Sequence, residues 1–208
     1  MRRTACGILR ELPVLNSDDY LLRRIAEGDT RAFAEFVRRH KARAMTLAVR
    51  MLRSREEAEE ALQDAFLKVF TTVHTFENRA NPATWLYRIV YNTCANMLEK
   101  FAAQKAAVHY GTVEFDEEIT GTAQFRPDAM YDESETTAAV HRAIEALPQE
   151  YAVTLTLFYV QQLRYEEIAA VTGMPVGTVK TKLFRGRAML KTMLEKLYGE
   201  ELAGGRYE

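Results

Sequence analysis

The tripeptide Gly173-Met174-Pro175 interrupts a chain that is otherwise written almost throughout in helical period. It stands within "YEEIAAVTGMPVGTVKTKLFRGR", Tyr165 to Arg187. Glycine accepts the left-handed conformation that closes a helix, and proline cannot prolong an incoming one. At the start of a helix the missing proline N–H costs nothing, because first-turn donors have no intrahelical acceptor. The break therefore predicts a short helix over 165–172, a three-residue turn and a second helix opened by Pro175, a helix-turn-helix layout. With Val179 as origin and about 100° per residue, Leu183, Gly186 and Leu190 return close to zero and form an apolar seam. Thr178, Thr181, Lys182 and Arg185 fall between about 200° and 300° on that scale, on the opposite face.

The same period organises the rest. Phe33, Phe36, Val37, Ala44, Leu47 and Met51 lie at helical spacings, as do Ala58, Ala61, Leu62, Ala65, Phe66 and Val69. Leu86, Ile89, Val90, Thr93 and Met97 form a third set behind Pro82, which suits a helix start. From about Phe101 to Tyr131 the pattern dissolves, and it returns with Val140, Ile144 and Leu147, then Tyr151, Leu155 and Phe158. Nothing reads as a strand pair. The expected fold is all-α, two small helical bundles joined by an extended acidic linker, the C-terminal one containing the helix-turn-helix. Its expected boundaries are an N-terminal extension over 1–16, a first domain over 17–100, a linker over 101–135, a second domain over 136–200 and a tail over 201–208.

Charge separates these parts where the total, −1 for 208 residues, does not. Residues 101–140 hold two bases against eight acids. Residues 176–191 hold five bases (Lys180, Lys182, Arg185, Arg187, Lys191) and no acid. A helix with hydroxyls at its start, bases further along and no acid on its outer face suits a DNA major groove. Only that segment has to meet phosphate, so the whole chain need not be basic.

The residues so assembled resemble a known family. "LRYEEIAAVTGMPVGTVKTKLFRGRAML", with "AIEALPQEY" upstream, is similar to the C-terminal DNA-binding domain of extracytoplasmic-function (group IV) bacterial sigma factors. "GDTRAFAEFVRRH", "EEAEEALQDAFLKVF" and "FENRANPATWLYRIVYNTCANML" resemble the N-terminal domain of that family, in order. The resemblance implies a factor that binds core RNA polymerase, directs it to promoters and promotes −10 melting. It implies −35 contacts by Thr178, Lys180, Thr181, Phe184 and Arg185, with Lys182 and Arg187 as phosphate partners. It places −10 contacts on the loop Asn78, Arg79, Ala80 and Asn81, a pocket for a flipped-out base, and on Trp85, Arg88, Asn92 and Asn96, with Tyr87 and Tyr91 alongside. Aromatics stack on unpaired bases and amides read their edges, so these residue types fit that task, though Trp85 and Tyr87 fit the core of the bundle as well. Glu60, Gln63, Asp64 and Lys68 then face polymerase; their mixed charge suits a protein partner better than DNA. The implied partners are core polymerase, through its β′ coiled coil and β flap, promoter DNA, duplex at −35 and single-stranded at −10, and an anti-sigma factor. The linker resembles the segment that threads the RNA exit channel, where its acids imitate nucleic acid. Two departures stand out. Arg164 replaces the usual Ser or Thr cap, at about 1 kcal/mol of helix stability, and Leu98-Glu99-Lys100-Phe101 lacks the family's basic run.

Other classes are disfavoured on the residues themselves. There is no P-loop or GxGxxG, and the four histidines (His40, His74, His109, His141) have no metal-ligand partner at helical spacing. No enzymatic activity, cofactor or metal is expected. No window spans a membrane without a charge, and Cys6 and Cys94 lie far apart with no CxxC companion, as in a cytoplasmic protein. Cys94, among apolar neighbours, reads as packing. A stand-alone helix-turn-helix regulator needs no Glu57–Phe70 segment, and a sigma-like decoy has no reason to keep Lys182 and Arg185.

Overall fold

A computed structural model describes residues 17–76, 81–109, 140 and 142–198. The described residues are helical and contain no strand. The first unit comprises α1 (Asp18–Ala26), α2 (Thr30–Leu52), α3 (Arg55–Thr72), a 3₁₀ turn (Val73–Thr75) and α4 (Pro82–His109). The second comprises a helical stretch at 142–145, α5 (Gln149–Leu155), a π-helical turn (Thr156–Val160), α6 (Tyr165–Thr172) and α7 (Val176–Tyr198).

Short polar residues start the four helices of the first unit by accepting otherwise orphaned N–H groups. Ser17 Oγ accepts from Tyr20 N at 3.2 Å, Asp29 Oδ1 from Arg31 N at 2.9 Å, Ser54 Oγ from Glu57 N at 3.3 Å and Asn81 Oδ1 from Ala83 N at 2.9 Å. Glu56 and Glu57 add negative charge where the α3 dipole favours it. Gly173, at φ 73°, closes α6 as its position foretells. The cores follow the seams: Phe36, Ala44 and Leu47 of α2 meet Ala58, Ala61, Ala65 and Val69 of α3 and Leu86, Val90 and Cys94 of α4. Leu155, Leu157, Ile168, Val171, Val179 and Leu183 fill the second unit. Burial pushes the Cys94 thiol up to about 12, as befits a packed side chain.

Two differences from the expected organisation are clear. First, α4 runs on through 101–109, nine residues into the expected linker. "FAAQKAAVH" holds no Gly or Pro, and six of its nine residues are strong helix formers, so the helix has no reason to stop at 100. Second, the two units pack on each other. Gln161 Nε2 donates to the Arg43 carbonyl of α2 at 2.8 Å, Gln149 Nε2 to the Met51 carbonyl, and Thr84 Oγ1 of α4 to Glu167 Oε1 of α6 at 3.1 Å. Arg50 of α2 pairs with Glu145 at 2.9 Å. The extension over 1–16, the greater part of the linker and the tail over 201–208 lie outside the described residues.

Candidate nucleic-acid interface

The second helix of the helix-turn-helix is seated by its apolar seam. Val179 and Leu183 are buried, and Gly186 lets α7 approach α5 so closely that a Cβ there would stand 3.2 Å from Leu155 Cδ1 and 3.4 Å from Tyr151 Cβ. Thr178, Lys180, Thr181, Phe184 and Arg185 are exposed, Phe184 by 75%. A bare phenyl ring held out beside two hydroxyls and two cations is an apolar contact surface framed by hydrogen-bonding groups. That combination matches a thymine methyl beside base edges and phosphates.

The two implied phosphate partners are placed differently. The Lys182 side chain is only 23% exposed and its Nζ pairs with Glu150 Oε2 at 2.8 Å. That neighbour, with hydrogen bonding first and Coulomb attraction second, holds the Glu150 carboxyl below the usual range. Arg187 is half-buried, its guanidinium carbon 4.9 Å from the Phe158 ring centroid and 5.6 Å from that of Tyr159. Burial alone pulls this guanidinium down, but the Tyr165 and Tyr159 oxygens outweigh it and leave it raised. The physical reason lies in helical phase: Lys182 stands about 60° to one side of the Val179 seam and Arg187 about 80° to the other. Both border the buried face, and their long stems fold onto the domain.

On α4 the exposed flank is Arg88, Asn92 and Asn96, one residue per turn. Asn81 is exposed and caps the helix, while Trp85 is half-buried with its ring 5.3 Å from Phe76. Tyr87 is 1% exposed and Tyr91 half-buried, so Tyr87 belongs to the core and not to the flank. Burial pushes the Tyr87 phenol up to about 12. Asn78, Arg79 and Ala80 lie outside the described residues.

On α3, Glu60, Gln63, Asp64 and Lys68 are all exposed. Lys68 Nζ donates to Thr93 Oγ1 of α4 at 3.1 Å, so the α3 face and the α4 flank share a cleft lined by Asp64, Lys68, Thr93 and Asn96. Sequence reasoning missed Leu67 on this face, an apolar side chain 61% exposed. It ends an open groove of about 510 Å³ between α2 and α3, lined also by Phe33, Val37 and Met45. The period of α3 places Leu67 off the seam, which is the signal that was available. Arg164 caps α6 without a side-chain acceptor; only the reciprocal half of the capping box forms, Glu167 Oε2 accepting from Arg164 N at 2.8 Å.

The chain matches the family described as sigma-70 region 2 over residues 36–103 and that described as sigma-70, region 4 over residues 137–190. It is 33% identical over 187 residues to the RNA polymerase sigma-H factor of Pseudomonas aeruginosa, covering 88% of this chain and 96% of that one. The chain belongs to the ECF family of RNA polymerase sigma factors. The ECF RNA polymerase sigma-E factor of Escherichia coli is 30% identical over 184 residues, covering 87% and 96%, and SigW of Bacillus subtilis 31% over 187 residues, covering 85% and 96%. Among solved structures, CnrH in complex with the cytosolic domain of CnrY aligns with a TM-score of 0.59 at 22% identity, covering 87% of this chain and 99% of that one. The sigma factor RpoE of Bartonella quintana, in complex with the anti-sigma factor NepR, aligns at 0.58 and 22%, covering 73% and 89%. At that identity the two structures speak to the fold alone. As an ECF sigma factor the chain is a transcription initiation factor that directs RNA polymerase to promoters. Among the described residues no helix is long and apolar enough to cross a membrane.

Proposed function

We propose that this ECF sigma factor divides its task among three faces. Thr178, Lys180, Thr181, Phe184 and Arg185 of α7 read duplex −35 DNA. Asn81, Trp85, Arg88, Asn92 and Asn96, with the loop residues Asn78, Arg79 and Ala80, capture the melted −10 strand. Glu60, Gln63, Asp64 and Lys68, joined by Leu67, dock on the polymerase β′ coiled coil, and the second unit meets the β flap. The observation that carries the reading is the exposed face of α7 over residues 176–191, free of acids, set against a buried seam on the same helix. Lys182 joins the phosphate contacts only by leaving Glu150, and Arg187 stays on its rings. The chain works in the cytoplasm and performs no catalysis of its own. The anti-sigma factor NepR bound to the Bartonella quintana relative supports an anti-sigma factor as a further partner.

Promoter binding by this chain with and without core polymerase tests the division. Arg185→Ala should weaken −35 binding by about 1–3 kcal/mol and relax preference at one position, if it reads guanine bidentately. Asp64→Lys should instead weaken capture by core and leave helical content intact. A site selection in which Arg185→Ala returns the wild-type consensus would exclude direct readout by that residue.

A further inference from the structure

We propose that residues 8–15 of this chain dock in the groove between α2 and α3 and, while there, compete with core polymerase for Gln63 and Leu67. The competition, though not the docking, rests on the proposed polymerase face of α3.

Two rows of side chains, each spaced four residues apart, wall this groove. Phe33, Val37, Lys41 and Met45 run along α2, and Glu59, Gln63 and Leu67 run along α3. Rows at that spacing are the ridges by which helices pack, so the space between two of them is shaped to receive a further element. Leu67 is 61% exposed, and Phe70, stacked edge-on against Phe33 at 5.1 Å, remains open beside it. Contiguous apolar surface of this kind marks a contact site, unlike singly scattered exposed side chains. The α2 wall carries one cation, exposed Lys41, and the α3 wall one anion, exposed Glu59. Glu59 pairs with Arg55 of its own helix at 3.0 Å, both side chains half exposed, a weak kind of pair that another cation can replace.

The segment before α1 has the matching composition. Ile8, Leu9, Leu12, Val14 and Leu15 are five apolar residues in eight, and Arg10-Glu11 sets one cation beside one anion among them. Glu11 complements Lys41, and Arg10 complements Glu59. The tether fits as well. Asp18, at the start of α1, bonds His40 at 2.9 Å and Arg39 at 3.4 Å, so the chain enters beside the middle of α2. Lys41 lies one residue on from His40, about 100° round a helix about 11 Å across, or about 10 Å along its surface. The three steps from Asp18 back to Leu15, about 3.3 Å each at full reach, cover that distance. The seven from Leu15 back to Ile8 reach up to about 23 Å, against about 18 Å for the α2 row. A short tether holds its segment at an effective concentration of about 1 mM. An intrinsic Kd of about 0.1 mM then fills the groove in about nine molecules of ten, and a competitor's apparent affinity falls about tenfold.

A nitroxide label on Cys6 of the full chain, with line broadening read at backbone amides by NMR, tests the docking; buried Cys94 stays unlabelled. Broadening should concentrate on Val37, Lys41 and Leu67 and hold at every protein concentration. Leu12→Asp should abolish it. Lys41→Glu should lower the docking equilibrium about fivefold, the scale of one exposed ion pair, and adding Glu11→Lys should restore it. That rescue reports on the pairing even where a single change disturbs folding. The Leu12→Asp chain should also bind core polymerase about tenfold more tightly than wild type. Uniform or absent broadening overturns the docking. Broadening that fades on dilution assigns the groove to a second copy and overturns it equally. Broadening lost in Leu12→Asp with core affinity unchanged upholds the docking and overturns the place of Leu67 in the polymerase face.

Discussion

Replacing Arg187 with alanine separates a phosphate-binding role from the structural one its position indicates. The guanidinium lies over two rings, at 4.9 Å from Phe158 and 5.6 Å from Tyr159. A cation–π contact is worth about 0.5–1 kcal/mol when exposed and about 2 kcal/mol when desolvated. Arg187 is half-buried and meets two rings, so Arg187→Ala should cost about 1–2 kcal/mol. At about 2–4 °C per kcal/mol for a chain of this size, melting falls by about 2–8 °C. Thermal and urea denaturation followed by helical circular dichroism reads this directly. A phosphate partner removed from a protein–DNA complex lowers the salt slope of binding by about one unit. Here the slope, measured on promoter DNA with core polymerase, should be unchanged. Arg187→Lys keeps the charge but loses the planar face, so it should retain the slope and still lose stability. An unchanged melting point combined with a shallower slope would refute the ring-stacking argument and restore Arg187 to the phosphate contacts.

Two further predictions concern stability. In α7, Gly186→Ala drives a Cβ to 3.2 Å from buried Leu155, whereas the Cβ of Gly177→Ala meets nothing within 4 Å. Overpacking of about 1–3 kcal/mol should outweigh the helix-propensity gain of about 1 kcal/mol in the first, while the second should stabilise by about 0.5–1 kcal/mol; equal stabilisation in urea melts contradicts the close approach. The Asp18 carboxyl is held low, by its His40 hydrogen bond foremost, and that of Glu167 is low despite burial, through hydrogen bonds from Arg164 and Thr84. Their contributions are complete above the ordinary carboxylate values and are lost as pH falls through the lower folded ones, so stability should decline below about pH 4.5. Glu167→Gln should flatten part of that decline in pH-dependent urea titrations, and an unaltered profile counts against it.

The helices and most of the seams were legible because burial imposes a period that any stretch of sequence displays. The Gly173-Met174-Pro175 break placed the helix-turn-helix to within a residue, since glycine and proline act through backbone sterics alone. Residues near the edge of a seam were harder. Lys182 and Arg187 carry charge, and charge argues for solvent, yet their reach allows partners in Glu150 and the aromatic pair, which belong to α5 and the π-helical turn. Such contacts depend on how elements cross, and periodicity along one helix holds no record of that. The contacts between the units were illegible for the same reason, because Gln149 and Gln161 bond to carbonyls, and a carbonyl has no sequence signature.

The π-helical turn at Thr156–Val160 carries a constraint of a different kind. It closes with Gln161 N on the Thr156 carbonyl at 3.0 Å, five residues back, and hands the chain to Gln162 at φ 57°. Such a turn is an α-helix with one residue too many. Deleting a single residue there would restore ordinary helix and swing whatever follows by about 100°. Gln161 would then leave the Arg43 carbonyl and α6 would enter from another direction. The length of this turn is as fixed as its buried Thr156 and Leu157: among sequences that fold alike, insertions and deletions should fall before Gln149 or after α7, and spare the stretch between.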